Sequence, residues 1–205
     1  MKRLATLTSV VLHPLIMPLT AIFIAFKFDW YLSGRVTSEQ EYMIYLIIFL
    51  STIVFPGVNI LLLKWYGVIS SLSMPLREER FTPFVSTLLF FGMGYYLLRK
   101  GSLPASIYSI YLGCGFALLL LVIINSKWKI SVHSAGIAGV IGSTIALFQI
   151  HHFSNVMLLM GLIVIAGLAL TSRLVLSAHT PAQVYAGAVL GLVTTYLTVF
   201  YEVAI

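Results

Sequence analysis

The sequence predicts an all-helical membrane protein: a polytopic transmembrane bundle of six to seven spans, forming a single domain over residues 1–205. Composition is the first reason, because 60% of the residues are hydrophobic and only 9% are charged, whereas soluble domains carry about 25% charged residues. The mean hydropathy of +1.04 is the second. Third, the apolar residues form long continuous runs rather than the alternating pattern of barrel strands, which leaves helices as the spanning structure.

Seven uncharged runs approach the length of about 20 residues that a helix needs to cross roughly 30 Å of hydrocarbon. The first run follows Lys2-Arg3 and contains two prolines but no small-residue cleavage site, so we expect a retained span rather than a signal peptide. The third run is short, and loop 64–81 before it carries apolar pieces suited to the interface, so the count is six to seven. In chain order the candidate spans are 10–26, 42–63, 82–98, 103–125, 132–150, 154–172 and 180–201.

Glycines mark the fifth and the seventh of these runs. Small residues let helix backbones approach closely inside a membrane. We therefore expect these glycines to pack helices against each other rather than to contact a ligand; they are Gly136, Gly139, Gly142, Gly187 and Gly191.

The net charge of +6 comes from lysines and arginines near span ends, where they suit anionic lipid headgroups. The bilayer is thus the expected partner, and no nucleic acid is expected. Seven spans put loops 64–81, 126–131 and 173–179 at the end of the bundle that holds the N-terminus. Four of the eight basic residues at this end are candidate phosphate ligands. The other four equal the number at the opposite end, so the positive-inside rule leaves the orientation open. The compact chain suits a bacterial inner membrane.

Three polar islands, 77–83, 127–136 and 172–183, share the N-terminal end of the predicted bundle. Charged groups near a bilayer are costly and concentrate at functional sites. Phosphoryl transfer needs cations and amide donors around the phosphoryl oxygens, a nucleophile in line and an acid for the leaving oxygen. Each of the two histidines in these islands precedes or begins a span, where a helix N-terminus favours anions. The side chains that suit this chemistry are Arg77, Arg80, Lys127, Arg173, His133 and His179.

A metal centre is not predicted, and neither is a cofactor. His151 and His152 are adjacent, so their side chains point to different faces of a helix. They also fall at the opposite end of the predicted bundle from the islands. We expect them in an interfacial loop.

The third island resembles a motif of the type 2 phosphatidic acid phosphatase superfamily, which reads Ser-Arg, five residues, His, three residues, Asp. Here Ser172-Arg173 precedes His179 by the same spacing, and Gln183 stands at the Asp position. Ser131-Val132-His133 is similar to the family's Pro-Ser-Gly-His motif, with Ile130 and Val132 in place of Pro and Gly. Arg77 and Arg80, ahead of Pro83, fall in the region of the first motif without its spacing. The resemblance covers about residues 75–203.

The resemblance implies a metal-independent lipid phosphatase. His179 would attack phosphorus and form a phosphohistidine, while His133 would protonate the leaving oxygen and then assist water. Gln183 would orient His179 through its amide oxygen, since positions i and i+4 share a helix face. Arg77, Arg80, Arg173 and the amides near Ser131 would hold the phosphoryl oxygens, with Ser172 beside them and Lys127 as a further cation.

Two other functions stay open at this stage. Gln183 and the altered first and second motifs are typical of a catalytically silent relative that binds or moves phospholipids. A channel or carrier would instead hold ionisable residues at mid-depth of its spans. His13 is the nearest case, but it precedes Pro14 near a span start, where we expect capping or packing.

Overall fold

The computed structural model describes residues 2–72, 74 and 76–203, and these residues are helical without strands. Met1, Ser73, Pro75, Ala204 and Ile205, which include the ends of the predicted domain and the start of the phosphatase-like core, lie outside the described residues. The helices are α1 (Lys2–Val11), α2 (Met17–Phe28), α3 (Trp30–Ser33), α4 (Ser38–Phe49), α5 (Phe55–Trp65), α6 (Phe81–Leu98), α7 (Ala105–Asn125), α8 (Val132–Ile150), α9 (Val156–Val175) and α10 (Pro181–Phe200).

Within the described residues, seven helical segments are long and apolar enough to cross a membrane. Helices α1 and α2 form the first segment, α4 and α5 the second, and α6 to α10 one each. This confirms the predicted fold class, at the upper of the two predicted counts, and the protein is an integral membrane protein. Large apolar side chains lie exposed along the outer faces of the helices, as lipid contact requires; Met157, for example, is 85% exposed.

The first span is interrupted where the sequence places Pro14. A 3₁₀ turn, Pro14–Ile16, separates α1 from α2, because proline has no N–H to donate. His13 caps this turn, its Nδ1 accepting a hydrogen bond from the Leu15 amide at 3.3 Å, which confirms the predicted capping role. The break lets α1 pack chiefly against α9 while α2 packs against α8.

Helix α8 is the most enclosed span, and α10 is its closest neighbour. Their backbones approach so closely that a Cβ at Gly191 would lie 2.0 Å from the Ala135 carbonyl oxygen, and one at Gly187 would lie 2.4 Å from that of Ser131. Thr195 Oγ1 reinforces the contact by donating to the Gly139 carbonyl at 2.8 Å. The predicted packing role of these glycines is therefore confirmed.

The same two helices are tied together where they begin. The Ser131 amide donates to the Gln183 carbonyl at 3.2 Å, and the Ser131 hydroxyl caps α8 by accepting from the Ser134 amide at 3.3 Å. This bond fixes the start of α8 beside the first turn of α10. As a result, His133 and the segment that contains His179 emerge at the same end of the bundle.

We predict that Gly191→Ala destabilises the protein while Gly161→Ala does not. The new methyl group at position 191 collides with backbone, which moves less readily than a side chain, whereas nothing lies within 4 Å of a Cβ at Gly161 on the exposed face of α9. Overpacking of this kind costs about 1–3 kcal/mol, or roughly 2–12 °C in Tm for a chain of this length. Thermal unfolding of detergent-purified protein measures both variants, and equal effects would contradict the proposed contact.

Candidate functional site

Three cations and three histidines gather at the end of the bundle where α8 and α10 begin. They come from five separate parts of the chain: the break in the first span, the turn before α6, the loop before α8, the start of α8 itself, and the α9–α10 segment. We call this group the cation–histidine cluster, and it consists of Arg80, Lys129, Arg173, His13, His133 and His179.

His179 lies in the short connection between α9 and α10 and is held by Gln183. Thr180 and Gln183 form a capping box at the start of α10, in which the Thr180 amide donates to Gln183 Oε1 at 3.1 Å. That donor requires the oxygen, rather than the nitrogen, of the carboxamide at this position. The same oxygen lies 3.2 Å from His179 Nδ1. Nδ1 must therefore carry the hydrogen, which leaves the lone pair of a neutral ring on Nε2.

The surroundings of His179 favour the neutral ring. Burial, together with the positive charges of Arg80, Arg173 and Lys129, lowers the pKa of His179 to about 4, against the opposing effect of the Gln183 hydrogen bond. The folded protein thus binds this proton less readily than the unfolded chain does. The His179 contribution to the free energy of unfolding falls as the pH drops from about 6.5 to about 4, and near neutral pH Nε2 is free to act as a nucleophile.

His133 and Arg173 are joined through a single residue of α1. The Nε2–H of His133 donates to the Ser9 carbonyl at 3.1 Å, and Arg173 Nη1 donates to the Ser9 hydroxyl. The ring of His13 packs edge-on against that of His133, with centroids 5.6 Å apart. The first span therefore covers the cluster from one side and occupies two of its hydrogen-bond donors.

The cations of the cluster lack carboxylate partners among the described residues. The two ion pairs found there join Arg77 to Glu78 and His151 to Asp29, both outside the cluster. Arg80 is 8% exposed, and its Nε donates to the Met74 carbonyl at 3.0 Å.

Two further observations show that these cations lack hydrogen-bond acceptors or neutralising charges among the described residues. Arg173 Nε is buried and has no acceptor among the described residues. Burial, together with the charges of Arg80 and Arg173, also lowers the pKa of Lys129. Buried cations are costly unless they are paired, so the cluster is suited to an anion.

The remaining predicted residues lie elsewhere or are bonded elsewhere. Arg77 pairs with Glu78 at 3.2 Å, and its side chain is 37% exposed. Lys127 is exposed. The Ser131 hydroxyl is engaged at the start of α8, and the Ser172 hydroxyl donates to the Ala169 carbonyl of its own helix at 2.7 Å. The structure thus brings together His133, His179, Gln183, Arg80 and Arg173 from the predicted set.

Sequence reasoning missed Ser9, His13 and Lys129 as members or neighbours of the site. The spacing of Ser9 and His13, four residues apart beside Pro14, is the signal that could have drawn attention to the first two. For Lys129 no such signal existed. Two lysines flank Trp128, and only burial shows which of them faces the cluster.

His151 and His152 lie in the turn after α8, as the predicted loop requires, but the burial of the His151 side chain was not predicted. The two residues do lie at the opposite end of α8 from the cluster, and His152 is exposed. The His151 side chain, however, is only 6% exposed and bonds to the Asp29 carboxylate. No local pattern indicates this pairing, because 122 positions separate the two residues.

We predict that Lys129→Gln raises the pKa of His179 from about 4 toward its usual value, because one of the three charges that oppose its protonation is removed. Lys127→Gln is the matched control: it removes the same charge from an exposed position two residues away and should leave the titration unchanged. An NMR titration of ¹⁵N-histidine-labelled protein in nanodiscs measures both. Equal shifts in the two variants would contradict the assignment of Lys129 to the cluster.

No family model matches this chain, and neither does any curated protein or solved structure. The chemistry of the cluster itself therefore has to indicate the function. That chemistry combines a neutral histidine, cations that have no carboxylate partner among the described residues, and a second histidine nearby.

Proposed function

We propose that this protein is an integral membrane phosphatase that hydrolyses a lipid phosphate or diphosphate through a phosphohistidine intermediate. The observation that carries the proposal is the position of His179: its ring is neutral near pH 7, its Nε2 is free, and it lies among Arg80, Arg173 and Lys129. The resemblance of segment 172–183 to the third motif of the type 2 phosphatidic acid phosphatases supports the same reading.

In the first step, His179 Nε2 attacks phosphorus and the bond from phosphorus to the leaving oxygen breaks. Arg80, Arg173 and Lys129 stabilise the charge on the phosphoryl oxygens. Arg173 offers the buried N–H that lacks an acceptor, which is suited to one of those oxygens. The Gln183 oxygen keeps the hydrogen of His179 on Nδ1 throughout, so that the attacking nitrogen is always Nε2.

The leaving oxygen takes the Nε2 proton of His133, which must enter the step protonated on both ring nitrogens and leaves it neutral. The Nε2–H of His133 donates to the Ser9 carbonyl in this structure, so it must exchange that acceptor for the leaving group. In the second step, His133 takes a proton from water, the water oxygen attacks phosphorus, and the bond from phosphorus to His179 breaks. Inorganic phosphate is released, and both histidines return to their starting states.

A lipid substrate follows from where the cluster lies. Arg173 and Lys129 are at the ends of spans, at the level where a lipid headgroup meets water. The tail of such a substrate stays in the bilayer while its phosphate reaches the cluster. Polyprenyl diphosphate, phosphatidate and phosphatidylglycerol phosphate all satisfy this description, and a bacterial inner membrane is the location that we propose.

One observation favours a second function, a catalytically silent protein that binds or moves phospholipids. Gln183 brings no negative charge to His179, and the pKa of about 4 makes that ring a weaker nucleophile than an ordinary histidine. Such a protein would hold an anionic headgroup on the same cations without breaking a bond.

The first test is phosphate release from a panel of lipid phosphates by purified protein in the presence of EDTA. We expect release that persists with EDTA and falls by at least about 10³-fold in His179→Ala, since loss of a nucleophile removes most of the catalysis. Arg173→Ala should also lose most activity. His152→Ala, which truncates an exposed histidine at the other end of the bundle, is the control and should retain it.

The same panel separates the two functions. Full activity in both His179→Ala and Arg173→Ala would overturn the phosphatase assignment. Saturable binding of a lipid phosphate by folded protein, without any release, would establish the silent binder in its place.

A second test separates the two roles of Gln183. Gln183→Ala removes the acceptor for His179 Nδ1–H and one half of the capping box, whereas Thr180→Ala removes only the hydroxyl cap at 3.4 Å from the Gln183 amide. Loss of a cap costs about 1 kcal/mol of stability. Loss of the group that sets the tautomer of a catalytic histidine lowers turnover by as much as about 10⁴-fold.

We therefore expect Gln183→Ala to lower kcat much more than Thr180→Ala, at similar losses of Tm. Parallel losses of kcat and Tm in both variants would show that Gln183 acts only as a helix cap.

A further inference from the structure

A second polar network lies at the end of the bundle opposite the cation–histidine cluster. Its four members come from the end of α2, the first turn of α7, the residue after α8 and the segment after α10; they are Asp29, Ser106, His151 and Glu202. The His151 Nδ1 contacts Asp29 Oδ2, and its Nε2 lies 3.4 Å from Ser106 Oγ. Ser106 Oγ in turn lies 2.7 Å from Glu202 Oε1.

The Asp29 end of this network is fixed as a carboxylate. Asp29 is 1% exposed, and its Oδ1 accepts from the amides of Tyr31 and Leu32 at 3.0 and 3.4 Å. A carboxylate oxygen that accepts two amide hydrogens is stabilised in its charged form. The contact between Asp29 Oδ2 and His151 therefore places a hydrogen on His151 Nδ1.

Ser106, in the middle of the network, cannot donate a hydrogen bond to both of its neighbours. Ser106 is fully buried and has a single hydroxyl hydrogen, yet its oxygen lies within reach of both His151 Nε2 and Glu202 Oε1. If the hydroxyl donates to a Glu202 carboxylate, His151 Nε2 must donate to Ser106, and the ring carries both hydrogens. If the hydroxyl donates to His151 Nε2, Glu202 must be protonated and must donate to Ser106.

We infer that His151 and Glu202 share one proton through the Ser106 hydroxyl, which makes this network a proton-binding site at the membrane end opposite the cation–histidine cluster. The two arrangements differ by one concerted shift. The Nε2 proton of His151 passes to Ser106 Oγ while the hydroxyl hydrogen of Ser106 passes to Glu202 Oε1. Asp29 stays ionised in both, so the net charge of the network is −1 before and after the shift.

The same count of hydrogens indicates how many protons the network holds. With one shared proton, each of the three contacts, Asp29 to His151, His151 to Ser106 and Ser106 to Glu202, holds one hydrogen. One proton fewer leaves either the buried His151 Nε2 without a donor or the 2.7 Å contact between Ser106 Oγ and Glu202 Oε1 without a hydrogen. Unsatisfied buried groups are costly, so the network is complete with one shared proton.

The surroundings favour the charged arrangement and provide a route for exchange. Glu202 is exposed and lines a cavity of about 450 Å³ together with Arg35, Ser102 and Ser106. The Arg35 guanidinium lies 3.9 Å from the centre of the Tyr31 ring, which itself lies 4.2 Å from the His151 ring. The contact of 2.7 Å between Ser106 Oγ and Glu202 Oε1 is shorter than the 3.4 Å between Ser106 Oγ and His151 Nε2, which favours the arrangement in which the hydroxyl donates to Glu202.

The three residues Asp29, His151 and Ser106 also have the order of contacts found in serine hydrolases. Ser106 is fully buried, however, and Glu202 Oε1 lies 2.7 Å from its hydroxyl, where it blocks the approach of a substrate. An attacking serine needs that approach open for a carbonyl carbon. The geometry thus points to a shared proton rather than to a nucleophile.

The test is ¹⁵N NMR of histidine-labelled protein in nanodiscs at pH 7, in the native chain and in Glu202→Ala, Ser106→Ala and the double variant. In the native protein we expect His151 to carry hydrogens on both ring nitrogens. In Glu202→Ala the Ser106 hydroxyl has only His151 Nε2 left as an acceptor, so the ring should become neutral with its hydrogen on Nδ1. In the Ser106→Ala background, adding Glu202→Ala should leave the His151 signals unchanged.

Four outcomes would overturn the inference. One is a native His151 that is neutral and does not respond to Glu202→Ala. Another is the same response to Glu202→Ala with and without Ser106, which would show an effect of charge through space. The third is labelling of Ser106 by a fluorophosphonate, which would show a nucleophile. The native spectrum needs no variant to fold, and a native ring protonated only at Nε2 would by itself contradict the model.

Discussion

The close approach of α8 and α10 is the contact on which the rest of the structure depends. Two backbones can come this near only where side chains are absent, and Gly187 and Gly191 provide that space against the carbonyls of Ser131 and Ala135. Inside a bilayer such packing replaces the hydrophobic effect as the force that joins helices. The contact also fixes the register of the two helices. Because the Ser131 amide bonds to the Gln183 carbonyl, His133 and His179 meet at one end of the bundle rather than at unrelated depths.

Around these two histidines the protein collects positive charge without neutralising it. At the other end of the bundle, the buried His151 contacts the Asp29 carboxylate. The two ends of the bundle differ. A buried histidine contacts a carboxylate at one end, whereas the cations at the other end have no carboxylate partner among the described residues. An unpaired buried cation destabilises the protein. Its retention is consistent with an anionic partner from outside the chain.

Much of the fold was predictable, because lipid imposes strong rules on composition and on run length. The spans, their order and the glycine contacts follow from periodicity and residue size alone. Within the site, His133, His179, Gln183, Arg80 and Arg173 could be found because a motif spacing or an island of charge marks them.

What could not be predicted depends on contacts between distant segments. Ser9 is one of many hydroxyl residues in an apolar run, and its role depends on a kink at Pro14 that turns α1 onto α9. Lys127 and Lys129 are equivalent in composition and differ only in which way the loop turns them. Asp29 and His151 lie far apart in the chain, and nothing local in either one indicates the other.

The length of helix α8 between its polar ends also determines which bilayer thickness suits the protein. Its polar anchors, His133 near its start and His151 at its end, are separated by 18 residues, which at 1.5 Å per residue is about 27 Å. Both rings are held by bonds to other segments, so neither can shift along the helix axis to suit its surroundings. The distance between the two polar ends of α8 is therefore fixed, and it matches the hydrocarbon thickness of a thin bilayer. In a thicker bilayer, hydrophobic mismatch would have to be relieved by tilting the bundle or thinning the lipid around it.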